Sequence, residues 1–209
     1  MKRIGFACKW IDHPHQTEGI KSTDDAKQYN TGTTTVAWLR RQSRDVAEQK
    51  LWDLMEDNIE ATRKLVERVG KLDEPLRMLR ISSDLLPVYT HDEFRNFWRQ
   101  PEVVSALEKR FGEVGDLART HNVRLSFHPG QFTVLASDNP GIVERSIEEF
   151  EYHASMARWM GLDVSSKTSK SMYTYQASKA LKAYAEHTGN YHPKLAIPLL
   201  LRTKKTRGD

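Results

Sequence analysis

Residues 123–159 read VRLSFHPGQFTVLASDNPGIVERSIEEFEYHASMARW, and this stretch decides the predicted fold. Its first five residues alternate apolar and polar side chains, which is the two-residue period of a short strand. A Pro-Gly pair then forces a turn directly after His128. The sequence therefore places a potential metal-binding side chain at the carboxyl end of a strand, where barrels of alternating strands and helices carry their catalytic groups.

A helix follows this turn. Asp138 or Asn139 can cap it, and Pro140 suits its first turn. Apolar side chains then recur at helical spacing, at Ile142, Val143, Ile147, Phe150, Ala154 and Ala157.

The rest of the chain up to residue 161 repeats the order strand, helix. Alternating patterns predict strands over 3–8 and 76–82, and apolar stripes predict helices over 36–70, with Gly70 as its C-cap, and 103–121. Three such units favour an α/β protein with a parallel sheet, a TIM-type barrel of which about the first three β/α units are present.

Composition limits the compartment and the partners. Cys8 is the only cysteine, so no internal disulfide is possible, and a reducing compartment follows. No apolar run reaches membrane-spanning length and the N-terminus is too short for a signal peptide, so we expect a cytoplasmic protein without a membrane partner. The net charge of +4 is uneven, since residues 162–209 carry +6 and residues 1–161 carry −2.

His91 and His128 both follow predicted strands, and a parallel sheet would bring them to the same rim. Neutral imidazoles bind zinc or manganese, usually with carboxylates completing the site. Each could equally be an ordinary hydrogen-bonded histidine. Gln131 and Phe132 lie on the loop after His128, where an aromatic ring beside an amide can stack on bases or can pack under the barrel.

The glutamates of the last helix have a simpler interpretation. Glu144, Glu148, Glu149 and Glu151 are expected on a solvated helix face, because a catalytic carboxylate belongs nearer the strand ends.

The segments RISSDL, THDEF and above all 123–161 resemble the UV damage endonuclease family. The resemblance covers residues 3–161 and implies a TIM-type barrel that holds a cluster of divalent metals. It also implies incision of the DNA backbone immediately 5′ to UV photoproducts, with a metal-activated hydroxide attacking the phosphodiester.

The same resemblance implies roles for individual residues. His91 and His128 would be metal ligands, with manganese as the first candidate metal and zinc, cobalt or magnesium as alternatives. Gln131 and Phe132 would probe the lesion, and Phe6 and Trp10 stand where many relatives carry Tyr and Asn near it. The partner would be damaged double-stranded DNA, and the protein would act as a monomer.

The resemblance ends near Gly161, so two regions are predicted. Residues 1–161 form the N-terminal part of the barrel, and residues 162–209 form a basic tail that does not match the family. Codons allowed for the tail can spell family-like sequence in a neighbouring frame, which suggests a frameshift. We therefore expect a truncated product with poor stability and weak or absent nuclease activity.

Two other functions remain open at the level of sequence. The same metal barrel supports sugar isomerases and epimerases, although HPGQF favours the repair family. A small non-catalytic nucleic-acid-binding protein would instead use the basic tail, and its binding would weaken steeply with salt.

Overall fold

The computed structural model describes residues 3–10, 24–127, 130, 133–135 and 137–162. Within them a parallel sheet of three strands has the order β1 (Phe6–Ala7), β2 (Met78–Ile81) and β3 (Arg124–Phe127). Phe6 pairs with Leu79, and Ile81 pairs with Phe127. The described residues thus confirm a parallel α/β arrangement, while the incomplete barrel stays a prediction.

Helices connect the strands. They are α1 (Asp24–Lys27), α2 (Val36–Leu39), α3 (Arg44–Gly70), α4 (Arg95–Trp98), α5 (Pro101–Thr120) and α6 (Pro140–Trp159), with 3₁₀ turns at Glu74–Leu76 and Ser83–Leu85. None of these helices is long and apolar enough to cross a lipid bilayer.

The helix predicted over 36–70 is in fact two helices. Thr35 caps α2 and Ser43 caps α3, each with a side-chain oxygen that accepts a backbone N–H three residues on. Gly70 is the last residue of α3, and its C-cap is Lys71, not Gly70 as predicted. A Cβ atom on Gly70 would lie 2.6 Å from Cβ of His121, so close packing explains this glycine.

The core lies between the sheet and the long helices. On α3 and α5 the buried apolar stripe follows the sequence pattern closely, with Leu51, Met55, Leu107 and Phe111 almost fully buried. Leu79 and Leu125 of the neighbouring strands face the same core. The predicted strands are longer than the observed ones because few backbone groups beyond these residues pair across the sheet.

The buried face of α6 differs from the predicted one. The helix buries Val143, Ser146, Tyr152, His153 and Met156. Of the apolar residues predicted at helical spacing, Val143 is buried, whereas Ile142, Ile147, Phe150, Ala154 and Ala157 are half-buried. Hydrogen bonds between the polar members of the buried face and neighbouring loops account for this rotation.

Candidate functional site

Two loops meet at the carboxyl edge of the sheet. Ile81 and Phe127 end adjacent parallel strands in register, so the two loops start at the same edge of the sheet. The carboxyl edge of parallel strands is where α/β proteins assemble their sites. We call the segment 82–91 the β2 loop and the segment 128–139 the β3 loop.

The β2 loop is held by side chains of two helices. The hydroxyl group of Tyr152 donates to the Ser83 carbonyl oxygen and accepts the Leu86 N–H, both at 3.0 Å. Asn58 of α3, which is 1% exposed, donates to the Leu85 carbonyl oxygen at 2.9 Å. These bonds satisfy backbone groups that would otherwise be buried without partners.

The same loop carries backbone strain. Val88 has φ +54°, a left-handed conformation that is costly for a β-branched residue. The next residue, Tyr89, stacks on Tyr152 with ring centroids 4.7 Å apart. A strained residue held in place by packing is typical of a functional loop.

His91, a predicted metal ligand, lies half-buried at the end of the β2 loop. The imidazole Nδ1 accepts the Glu93 backbone N–H at 3.3 Å. The backbone N–H of His91 donates to the Val88 carbonyl oxygen at 3.0 Å. A neutral imidazole that accepts at Nδ1 carries its proton on Nε2. Metal binding through Nε2 therefore requires the other tautomer and loss of the long bond to Glu93.

The predicted residues His128, Gln131 and Phe132 lie outside the described residues, and their roles stay predictions. The described parts of the β3 loop are tied to α6. The Gly130 N–H lies beside the Glu149 carboxylate and lowers its pKa, and the Val134 N–H donates to the Ser146 hydroxyl oxygen at 2.8 Å. The described part of the loop thus bonds to α6 through Val134.

A cavity of about 660 Å³ opens between the two loops and α6. Its walls combine hydroxyl groups, two carboxylates, one arginine and apolar side chains. They are Thr33, Ser83, Asp84, Leu86, Pro87, Val88, Tyr89, Thr90, Gly130, Thr133, Val134, Ile142, Arg145, Ser146, Glu149 and Tyr152. This size and mixture suit a polar ligand of nucleotide dimensions.

Glu149 corrects the prediction of a uniformly solvated glutamate face. Its carboxylate lines the cavity, and its side chain is 24% exposed. Burial raises the pKa of this carboxyl, Asp84 raises it further, and the bond from Gly130 partly offsets both effects. The periodicity of α6 does not reveal this position, because hydropathy periodicity contains no information about how the β3 loop folds onto the helix.

The other three glutamates agree better with that prediction. Glu144 is exposed. Glu148 pairs with Arg95 at 2.9 Å, and Glu151 pairs with Arg158 at 3.1 Å. Such partly exposed ion pairs contribute little to stability.

Phe6 and Trp10, the other predicted DNA contacts, belong to an aromatic cluster beside α3. Their rings meet edge to face with centroids 5.4 Å apart. The Arg68 guanidinium lies 4.3 Å from the Trp10 ring centroid and 5.0 Å from that of Tyr29. Both residues pack against the core while remaining partly accessible, and their contact with DNA stays a prediction.

At the carboxyl edge the described donors are the His91 imidazole and the Asp84 and Glu149 carboxylates, which are the ligand types that zinc and manganese accept. No three His, Cys, Asp or Glu side chains within the described ranges are grouped closely enough to hold an ion. The described residues therefore include suitable types of metal ligand but do not form a complete set of ligands.

Together these features define an α/β protein with a polar cavity at the carboxyl edge of parallel strands. The model of the family described as UV-endonuclease UvdE matches residues 3–184, and the chain belongs to this family. The matched range extends beyond Gly161, while the predicted division into two regions at that residue stays a prediction.

Individual relatives agree with this assignment. A UV DNA damage endonuclease of Bacillus thuringiensis subsp. konkukian (strain 97-27) is 30% identical over 134 residues, which cover 64% of this chain and 40% of the relative. A protein of the same name from Bacillus pumilus (strain SAFR-032) is 33% identical over 129 residues, covering 62% and 38%. The aligned part of this chain thus spans about 40% of the length of these curated relatives.

A solved structure shares the fold. The crystal structure of SacUVDE matches with a TM-score of 0.63 and 20% identity, covering 95% of this chain and 59% of that one. At this identity the match supports the architecture of the chain.

Proposed function

We propose that the chain belongs to a DNA repair endonuclease that incises the backbone immediately 5′ to UV photoproducts. The family match over residues 3–184 carries this proposal. The cavity between the two loops supports this proposal. It combines hydroxyl donors with the Arg145 guanidinium at the edge where the fold places reacting groups.

The proposed reaction is metal-dependent, with manganese as the first candidate and zinc, cobalt or magnesium as alternatives. His91 and His128 would hold the metal, which when bound supplies an activated water and neutralises charge on the phosphodiester. Gln131 and Phe132 would contact the damaged bases, with Phe6 and Trp10 as further contacts. The bond that the Val134 N–H donates to the Ser146 hydroxyl oxygen ties the described part of the β3 loop to α6.

We also propose that the 209-residue chain alone is a weak nuclease or none at all. Two imidazoles, His91 and His128, would be too few to hold a catalytic metal cluster, which normally draws on carboxylates as well. Binding of double-stranded DNA would need fewer of these residues than incision and would persist.

The test uses irradiated and unirradiated supercoiled plasmid, with Mn²⁺ or with a chelator. Slow conversion to the nicked form, confined to irradiated DNA with Mn²⁺, is expected. Cleavage sites are then mapped on a labelled duplex with one photoproduct. Equal nicking of both plasmids would contradict the proposed function, whereas rapid lesion-specific nicking would contradict only the weak activity.

Metal binding is tested separately by titration calorimetry with Mn²⁺. His91→Ala and His128→Ala are expected to weaken binding by about ten- to a hundredfold. His121→Gln is the matched control, because His121 precedes β3 and so lies at the opposite edge of the sheet. Unchanged affinity in both alanine variants would show that the ligands lie elsewhere.

A further inference from the structure

Arg145 is the only cation among the described residues that line the cavity. It lies on α6, is exposed, and makes no ion pair with a carboxylate of the described ranges. Arg63 and Arg110 of the other long helices, in contrast, each form ion pairs with glutamates. Arg145 is therefore available to an anion that enters the cavity.

Glu149 is a carboxylate on the same helix with which Arg145 could form an ion pair. Residues four apart on a helix can form an ion pair, and Arg145 precedes Glu149 by four. The two side chains do not pair, and Oε1 of Glu149 instead lies 3.7 Å from Nδ1 of His153. Atom Nη1 of Arg145 lies 4.0 Å from the point where a Cβ atom on Gly141 would be, so the guanidinium extends towards the first turn of α6.

This orientation separates the charges of the cavity. The Arg145 guanidinium thus lies on the side of the first turn of α6, whereas Glu149 lies four residues further along the helix. Four residues of helix correspond to about 6 Å along the axis. An anion is repelled by the carboxylates of Asp84 and Glu149, and it is attracted by the guanidinium on the side of the first turn.

The other polar groups of the cavity suit the oxygens of a phosphodiester. Thr33, Thr90 and Thr133 bring hydroxyl groups to its walls, and hydroxyl donors bind phosphate oxygens in protein–DNA complexes. We propose that Arg145 contacts a backbone phosphate of DNA bound in this cavity. This inference rests on the proposed function and adds to it the residue that binds the backbone.

A phosphate contact has a defined signature. It carries no information about the lesion, so its loss weakens binding of damaged and undamaged duplex equally. It also releases counterions, so its loss reduces the slope of log affinity against log salt by about 0.9. Lysine at the same position keeps the charge and should keep most of the slope.

The experiment measures fluorescence anisotropy of a labelled duplex, irradiated or not, with the 209-residue chain across a range of salt concentrations. Arg145→Gln is expected to weaken binding of both duplexes about tenfold and to lower the salt slope by about 0.9. Arg145→Lys is expected to retain the slope. The matched control is Lys109→Gln on the outer surface of α5, which removes one exposed charge outside the cavity.

Each outcome decides the inference. Equal affinity and slope for Arg145→Gln and the unchanged chain would overturn it while the proposed function stands. Equal losses in Arg145→Gln and Lys109→Gln would also overturn it, because net charge alone would explain them. An unchanged chain that binds neither duplex would overturn the proposed function together with the inference. Far-ultraviolet circular dichroism establishes that the variants are folded.

Discussion

The hydroxyl group of Tyr152 on α6 donates to the carbonyl oxygen of Ser83, 69 residues earlier, at 3.0 Å. The same hydroxyl accepts the Leu86 N–H, so one side chain closes the 3₁₀ turn that opens the β2 loop. Burial raises the pKa of Tyr152 well above its ordinary value, which keeps this donor protonated throughout the useful pH range.

Replacing Tyr152 with phenylalanine removes both bonds and keeps the stacked ring. We expect Tyr152→Phe to lower the free energy of unfolding by about 1–3 kcal/mol, because the Leu86 N–H and the Ser83 carbonyl lose a partner in a buried setting. Urea denaturation followed by circular dichroism measures the loss.

Tyr89→Phe is the matched control for this substitution. Tyr89 stacks on Tyr152, and within the described residues its hydroxyl makes no hydrogen bond. Its substitution should change stability by less than about 0.5 kcal/mol. Equal losses in the two variants would assign the effect to the aromatic stack and not to the hydroxyl bonds.

Replacing either of two glycines of α5 with alanine is expected to have opposite effects on stability. A Cβ atom on Gly115 would lie 1.8 Å from the Met160 carbonyl oxygen, whereas on Gly112 it would make an ordinary contact at 3.8 Å with the Trp159 carbonyl oxygen. Gly115→Ala must push α5 and the end of α6 apart, which costs about 1–3 kcal/mol. Gly112→Ala should stabilise the chain by up to about 1 kcal/mol through helix propensity.

Thermal unfolding of the two glycine variants provides the measurement. The unchanged chain should melt between them, with Gly115→Ala below and Gly112→Ala above. If Gly115→Ala melted at or above the unchanged chain, the close approach of α5 and α6 would be wrong.

The sequence predicts the helices of the core better than it predicts the site. Leu107 and Phe111 recur at helical spacing and are buried, because burial of apolar surface alone orients α5. α6 behaves differently. Its rotation is set by Ser146 and Tyr152, whose partners Val134 and Leu86 lie in loops, and hydropathy periodicity contains no information about such partners.

The candidate site, too, is predicted only in part by the sequence. The sequence indicates that the loops after two strands meet, and the register of Ile81 with Phe127 confirms it. It does not indicate that Glu149 faces the cavity or that Arg145 avoids an ion pair. Both properties depend on how the β3 loop folds back onto α6, and that contact is formed by backbone N–H groups, which every residue type except proline provides.

Glu149 gives a prediction with a defined dependence on pH. The pKa of its carboxyl is raised in the folded chain, so the folded state binds this proton more readily than the unfolded state does. The charged form therefore lowers stability as pH rises above the ordinary value near 4.5, and the loss levels off once pH exceeds the raised pKa.

Glutamine at position 149 removes this charge, and its Oε1 can still accept the Gly130 N–H. We expect Glu149→Gln and the unchanged chain to have equal stability near pH 4, and the variant to become the more stable one as pH rises to 7. Urea denaturation at several pH values measures the gap. Amide hydrogen exchange at Gly130 should stay slow in Glu149→Gln and accelerate in Glu149→Ala, which has no acceptor. A gap that does not change between pH 4 and pH 8 would show that the Glu149 carboxyl is not buried against the β3 loop.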